Sequence, residues 1–180
     1  MTTPQPAAPV PATSVPLDQP LYGASFVEAI KRFFTKYAVF SGRASRSEYW
    51  WVVLFNVLVQ LLIWVPGIVL GIATGTPGYT STGSPTTTPG PIFAVFVILA
   101  VLYYLATVVP GIAVGVRRLH DANLSGLLFL LILVPSFGGL IILVLTLLES
   151  NPQGARFDAG AQQYAYQPVA PPAPPAPPTA

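Results

Sequence analysis

The chain has 180 residues, of which 53% are hydrophobic and only 8% charged, whereas soluble domains carry roughly 25% charged residues. That balance excludes an ordinary water-soluble globule and points to lipid as the solvent. The net charge of +2 is too small for a nucleic-acid surface. With no Cys and one His, the chain has no means to form a disulfide, a thiol nucleophile, a Cys-based centre or a His-rich metal site of its own.

Residues 1–24 are rich in Pro, Thr, Ala and Gln and lack the basic and apolar regions of a signal peptide. Such a segment buries too little apolar surface to offset its conformational entropy, and a disordered tail is expected. From Ser25 the pattern changes. Ser25 and Glu28 stand at capping-box spacing. Phe26, Ile30, Phe33 and Tyr37, with Val27 and Phe34 beside them, then form one face over residues 25–38, and Glu28, Lys31, Arg32, Thr35 and Lys36 fill the other. This amphipathic helix suits either the membrane interface or packing on the protein's own bundle.

A second capping box, Ser45 with Glu48, opens the first apolar run, expected to span at residues 49–71. Tyr49, Trp50 and Trp51 supply an aromatic belt at its entry. Asn56 and Gln60 share a face, which is expected to look into the bundle because amides in lipid seek a protein partner. Residues 72–91 form an uncharged Gly/Thr/Ser/Pro loop, expected to be long and flexible. The second span is expected at residues 92–116. Gly67-x-x-x-Gly71 and Gly111-x-x-x-Gly115 both have a spacing that permits close helix approach.

The third apolar run, residues 126–148, is interrupted by Pro135, Ser136, Gly138 and Gly139. One kinked span is expected, because each half has only about ten residues and is too short to cross. The alternative is a re-entrant hairpin covered by protein. Residues 151–180 read as a Pro-rich disordered tail. The fold class is therefore all-α, a three-span helical membrane bundle over residues 39–150 with an N-terminal interfacial helix. Lys and Arg precede the first span, are missing from residues 72–91 and return after the second span, which places the N-terminus and the Arg117 turn in the cytoplasm.

Two polar stretches interrupt the apolar sequence: Phe40-Ser41-Gly42-Arg43-Ala44-Ser45-Arg46-Ser47-Glu48-Tyr49-Trp50-Trp51, and Arg117-Arg118-Leu119-His120-Asp121-Ala122-Asn123-Leu124-Ser125-Gly126. Joined by two spans and followed by an apolar run with a central Pro135, they resemble the domain-of-unknown-function 805 family, small bacterial inner-membrane proteins with no established activity. The resemblance covers about Phe33 to Asp158. It departs where Leu127 and Leu128 stand in place of a Trp, and it matches the family's ending only partly in Gly154-Ala155-Arg156-Phe157-Asp158. The family brings no mechanism, so the residues carry the functional reading.

Arg43, Arg46, Glu48, Arg117, Arg118, His120 and Asp121 are expected at similar depth on the cytoplasmic side. In the structural reading, Glu48 and Asp121 pair with these arginines and fix the first span on the second, since a partly buried charge needs compensation. Asp121, Asn123 or Ser125 would also cap the following helix. In a sharper reading, the excess of arginine over acid offers a site for anionic lipid headgroups, which guanidinium binds through parallel hydrogen bonds.

Catalysis by His120, Asp121 and Ser125 is disfavoured, because neighbours on a helix point about 100° apart and do not readily form the orienting hydrogen bond of a triad. A small oligomeric transporter is the main alternative, although Asn56, Gln60, Tyr103 and Tyr104 make a thin polar lining. The expectation is a non-catalytic interaction or scaffold protein without cofactor or metal. Its partners are the bilayer and its anionic lipids, further copies of itself or other membrane proteins, and not nucleic acid.

Overall fold

The structure is a computed structural model and describes Val15, Leu17 and residues 19–158. The Pro-rich tails expected at either end lie largely outside the described residues. Residues 20–24 do not behave as tail: Leu21 and Ala24 are buried against Ala29. Helix α1 (Phe26–Thr35) and helix α2 (Arg46–Ala73) each begin with the expected capping box. After α2 come strands β1 (Thr76–Tyr79) and β2 (Pro85–Thr88), then helix α3 (Pro91–Asp121).

At 1.5 Å per residue the 28-residue α2 and the 31-residue α3 are about 42 and 46 Å long, more than the roughly 30 Å hydrocarbon thickness of a bilayer. Both are long and apolar enough to cross a membrane. They pack side by side through the first of the two glycine pairs. A Cβ on Gly67 would stand 2.7 Å from Phe96, and one on Gly71 would stand 3.0 Å from Phe93. In the second pair Gly115 receives Phe129, while Gly111 faces open space. Between the helices Tyr103 donates to Asn56 Oδ1 at 2.9 Å, so Asn56 looks inward as expected. The buried Gln60 Oε1 has no hydrogen-bond partner among the described residues.

The loop expected to be flexible at residues 72–91 is instead a short antiparallel hairpin that pairs Thr76 with Thr88 and Tyr79 with Pro85. Threonine-rich sequence favours extended backbone, Gly83 supplies a left-handed turn residue, and Thr80 Oγ1 accepts from Ser84 N–H at 3.1 Å. The described chain is thus helical with this one small strand pair.

Residues 126–148 do not form the single kinked helix expected. A 3-10 helix (Gly126–Leu133) runs out, the chain turns at Pro135 and Ser136, and helix α4 (Gly138–Leu147) runs back. Ser136 sits at φ +69°. Gly138 lies so close to the Leu131 carbonyl that a Cβ could not be accommodated. At about 2.0 and 1.5 Å per residue the two arms are each about 15 Å long, half of a bilayer's apolar thickness. Both open ends of the hairpin lie beside the end of α3: Gly126 against Val116 and His120, and the Leu148 carbonyl on Arg118. Of the two readings of the sequence, the chain reversal of a hairpin describes the path of this segment.

Nor does the tail begin at 151. Pro152–Phe157 is a closing 3-10 helix that packs back on the end of α3. Among the described residues, the charged side chains all lie in residues 25–48, 117–121 and 149–158, which meet at one end of the α2/α3 pair, and the hairpin end carries none.

Candidate functional site

Four segments converge at the charged end: the chain entering α1, the turn 40–48, the end of α3, and residues 146–158. Glu48 is the hub of one half. Beyond closing the cap of its own helix, its carboxylate accepts from Leu21 N–H at 3.0 Å, from Ser45 N–H at 3.1 Å and from the Arg32 guanidinium at 3.1 Å. Ser45 Oγ completes the knot by donating to the Leu21 carbonyl at 2.6 Å. A carboxylate that leaves water must be met by several donors, and the cap, the chain entering α1 and α1 itself each provide one.

Arg32 also donates to the carbonyls of Gln19 and Val15, at 2.9 and 2.8 Å. This turns α1 relative to its sequence-derived faces. Arg32 and Lys36, assigned to the polar face, are buried, while Val27, Phe34 and Tyr37 are exposed. Burial of a guanidinium is tolerated because Glu48 and two carbonyls meet it.

The second half centres on Arg118 and Asp121, both fully buried. Arg118 donates to Asp121 Oδ2 at 2.7 Å and to the carbonyl of Thr146 at 3.0 Å, and it makes a further short bond to the Leu148 carbonyl. Those carbonyls end α4 and have no partner within the helix, so Arg118 serves as their cap. Asp121 in turn accepts from the Tyr22 hydroxyl at 2.9 Å and from Ser150 Oγ, and its backbone carbonyl accepts from Asn151 N–H at 2.7 Å. Partial burial of its hydroxyl, reinforced by the nearby Asp121 charge and its hydrogen bond, pushes the Tyr22 phenol above its ordinary value, although the ring itself is largely exposed.

Arg43 grips Asp158 with two prongs, Nε to Oδ1 at 2.9 Å and a terminal nitrogen to Oδ2 at 2.7 Å. That pairing holds the Arg43 guanidinium above its usual range. Beside it, the His120 Nδ1–H donates to the Gly42 carbonyl at 3.1 Å, and the imidazole stacks on Phe157 with centroids 4.1 Å apart and planes 5° from parallel. Gly42 N–H closes this layer by donating to the Phe157 carbonyl at 2.8 Å. Arg46 stays at the surface, donating to the Leu148 carbonyl at 3.0 Å with Glu149 at 3.9 Å. Arg117 is buried and donates from Nε to the Ala113 carbonyl of its own helix at 3.2 Å, while its carbonyl accepts from Ala44 N–H at 3.0 Å.

All seven expected residues meet at this end; Asp121 pairs with an arginine of the cluster as expected, and Glu48 does not. Glu48 pairs with Arg32 of α1 rather than with an arginine of the cluster, and Asp121 pairs with Arg118 one turn away on α3. Among the described residues no salt bridge joins α2 directly to α3, and the turn before α2 is instead tied to α3 by Ala44 N–H donating to the Arg117 carbonyl. Ser125 caps the 3-10 helix by accepting from Leu127 N–H at 3.3 Å, and Asn123 ends α3 in the left-handed conformation at φ 60°. The residues missed from sequence are Arg32, Tyr22, Ser150 and Asp158. Only Asp158 left a signal, as the last residue of the stretch 154–158 that resembles the family's ending. No cluster of three or more His, Cys, Asp or Glu side chains suited to a metal occurs among the described residues.

The Inner membrane protein YhaI of Escherichia coli strain K12 is 35% identical over 121 residues, covering 67% of this chain and 84% of the relative. The Inner membrane protein YhaH of the same organism is 33% identical over 121 residues, covering 67% of this chain and 85% of the relative. No solved structure matches the chain. The family described as "Protein of unknown function (DUF805)" matches residues 37–159, a segment that begins just before Arg43 and ends just after Asp158. The chain therefore belongs to the DUF805 family of membrane proteins.

Proposed function

We propose that this is a non-catalytic, multi-pass protein of the bacterial inner membrane, an interaction or scaffold element whose charged end faces the cytoplasm. In this reading α2 and α3 cross the bilayer, residues 126–148 enter and return, and both described ends of the chain lie inside. What supports it is the disposition of charge: the basic residues gather at one end and the hairpin at the other has none, the asymmetry that retains a loop on the cytoplasmic side. The exposed aromatic side chains of α1 lie where an interfacial helix meets headgroups and acyl chains.

The charged end is a clamp that ties α1, the two crossings, the re-entrant hairpin and the closing 3-10 helix into one platform. Its acids and most of its arginines are engaged with each other and with backbone, which supports a structural use. His120 and Asp121 hold separate partners, an arrangement that favours docking over acid-base work. For transport, the polar groups between the crossings among the described residues are the Asn56–Tyr103 bond and the Gln60 amide, too little polar surface for a path.

The cysteine-free sequence permits a direct test. Ser41→Cys and Gln153→Cys are expected to react with an impermeant maleimide only in inverted vesicles, and Thr82→Cys only in right-side-out cells. Labelling of Gln153→Cys and Thr82→Cys from the same side would refute the re-entrant arrangement.

A further inference from the structure

Beside the clamp, and outside its ion pairs, a cavity of about 510 Å³ opens between α3, the 3-10 helix 126–133, and the layer formed by Phe40 and Phe157. Its body is apolar, walled by Ile112, Val116, Phe129 and Leu130. Its outer rim continues into Leu127 and Leu130, which are exposed on the face that meets lipid in the reading above. The polar groups gather at one end.

His120 lies there with Nδ1 committed to the Gly42 carbonyl. The proton of the neutral ring is therefore on Nδ1, and Nε2 is left as an acceptor. Nε2 has no hydrogen-bond partner among the described residues. What stands before it is Gly126, where a Cβ would lie 2.9 Å from Nε2 and 2.6 Å from Val116. The backbone of Gly126 is not left-handed, so glycine serves here to leave room and not to permit a turn. Ser125 Oγ, also in the lining, accepts from Leu127 N–H and retains its hydroxyl proton for another acceptor.

Outside the lining, against Phe157, lies Arg156. Its guanidinium lies 4.7 Å from the Phe157 ring centroid and donates to the Asn123 carbonyl at 3.3 Å. It is exposed, with no carboxylate within ion-pair distance among the described residues. A free acceptor and a free hydroxyl donor thus line one end of an apolar cavity, and an unneutralised cation adjoins that end against the lining residue Phe157.

We propose that this cavity is a binding site for one anionic glycerophospholipid with a hydroxylated headgroup. The phosphodiester lies at Arg156, a headgroup hydroxyl donates to His120 Nε2, and an acyl chain fills the space between Ile112 and Leu130. The cavity's polarity selects the ligand: an acyl chain matches its walls, a phosphate matches the cation, and a hydroxyl matches an acceptor that a choline headgroup cannot serve. This assignment rests on the reading that the charged end lies at headgroup depth. It differs from a site at the clamp arginines, which are engaged elsewhere.

The test uses the full chain purified in mild detergent and native mass spectrometry with dioleoylphosphatidylglycerol or dioleoylphosphatidylcholine. The parent is expected to retain one phosphatidylglycerol at least about fivefold better than phosphatidylcholine, and R156Q to lose about fivefold of that retention, the scale of one basic residue at an anionic surface. Ile112→Trp, which fills the cavity, is expected to lower retention of both lipids. Equal retention of the two lipids by the parent, or undiminished phosphatidylglycerol retention by both variants, would overturn the assignment. Because Ile112→Trp could also perturb folding, the parent is photolabelled with phosphatidylglycerol carrying an acyl-chain diazirine. Adducts are expected in residues 112–116 or 127–130, and adducts confined to α2 would equally refute the site. The cysteine labelling tests sidedness separately, so a failure of the lipid site and a failure of the membrane arrangement give different results.

Discussion

Arg43 and Asp158, 115 positions apart, form a two-pronged ion pair that fastens the closing 3-10 helix to the turn before α2. The pair is largely shielded, with side-chain exposures of 14% and 18%. It sits over the layer in which Phe157 stacks on His120.

Asp158→Asn is therefore expected to destabilise the detergent-solubilised protein by about 1 to 3 kcal/mol, the range for hydrogen bonds to charged groups. It should also expose the peptide bond after Arg156 to trypsin faster than in the parent. Combining it with Arg43→Ala should cost little more than either change alone. Strict additivity in that cycle would mean that the two side chains do not act as a pair.

Arg118 carries a heavier load, because it caps α4 and neutralises Asp121 in a fully buried setting. Arg118→Met is expected to cost about 3 to 5 kcal/mol, the usual penalty for stranding one partner of a buried pair. Arg118→Met combined with Asp121→Leu should recover part of that loss. Thermal denaturation in detergent reads both, and a double variant less stable than Arg118→Met would count against the assigned pairing.

The glycines separate packing from composition. Gly67→Ala places a methyl 2.7 Å from Phe96 and is expected to weaken the α2/α3 packing by about 1 to 3 kcal/mol. Gly111→Ala meets nothing within 4 Å and should fall within about 0.5 kcal/mol of the parent. Melting temperatures of the two variants measured side by side check the contrast, and equal losses would place α3 differently against α2.

Tyr22 adds a dependence on alkaline pH. Its phenol titrates above its ordinary value of about 10 in the folded protein, through partial burial of the hydroxyl and the neighbouring Asp121. A group whose folded pKa is raised contributes stability that is complete below the unfolded pKa and is lost as pH rises through the folded one. The parent should therefore be more stable than Tyr22→Phe at pH 8, and the gap should close above pH 10. A gap that stays constant across that window would exclude Tyr22 as its source.

Much of this molecule is legible in local sequence. Both capping boxes form as spaced, because a cap needs only residues three apart. The two long uncharged runs become the two long helices, and the charged residues collect at one end because the apolar runs between them allow no other place. The resemblance carried by residues 40–51 and 117–126 also holds, since short motifs of mixed charged and aromatic residues are specific in themselves.

What only the tertiary structure decided are the partners. Pro135 and Ser136 signalled a break in the third run, but kink and reversal share that signal. The reversal becomes visible in Arg118 reaching the carbonyls of Thr146 and Leu148, a contact between side chain and backbone that leaves no pattern in either segment. Likewise the amphipathic pattern of α1 placed Arg32 on the polar face, because periodicity records which residues are charged and not where a distant carboxylate will stand. Hydrophobic spacing determines what leaves water; the choice of which charge meets which is made by three-dimensional proximity, once burial makes every unmet charge costly.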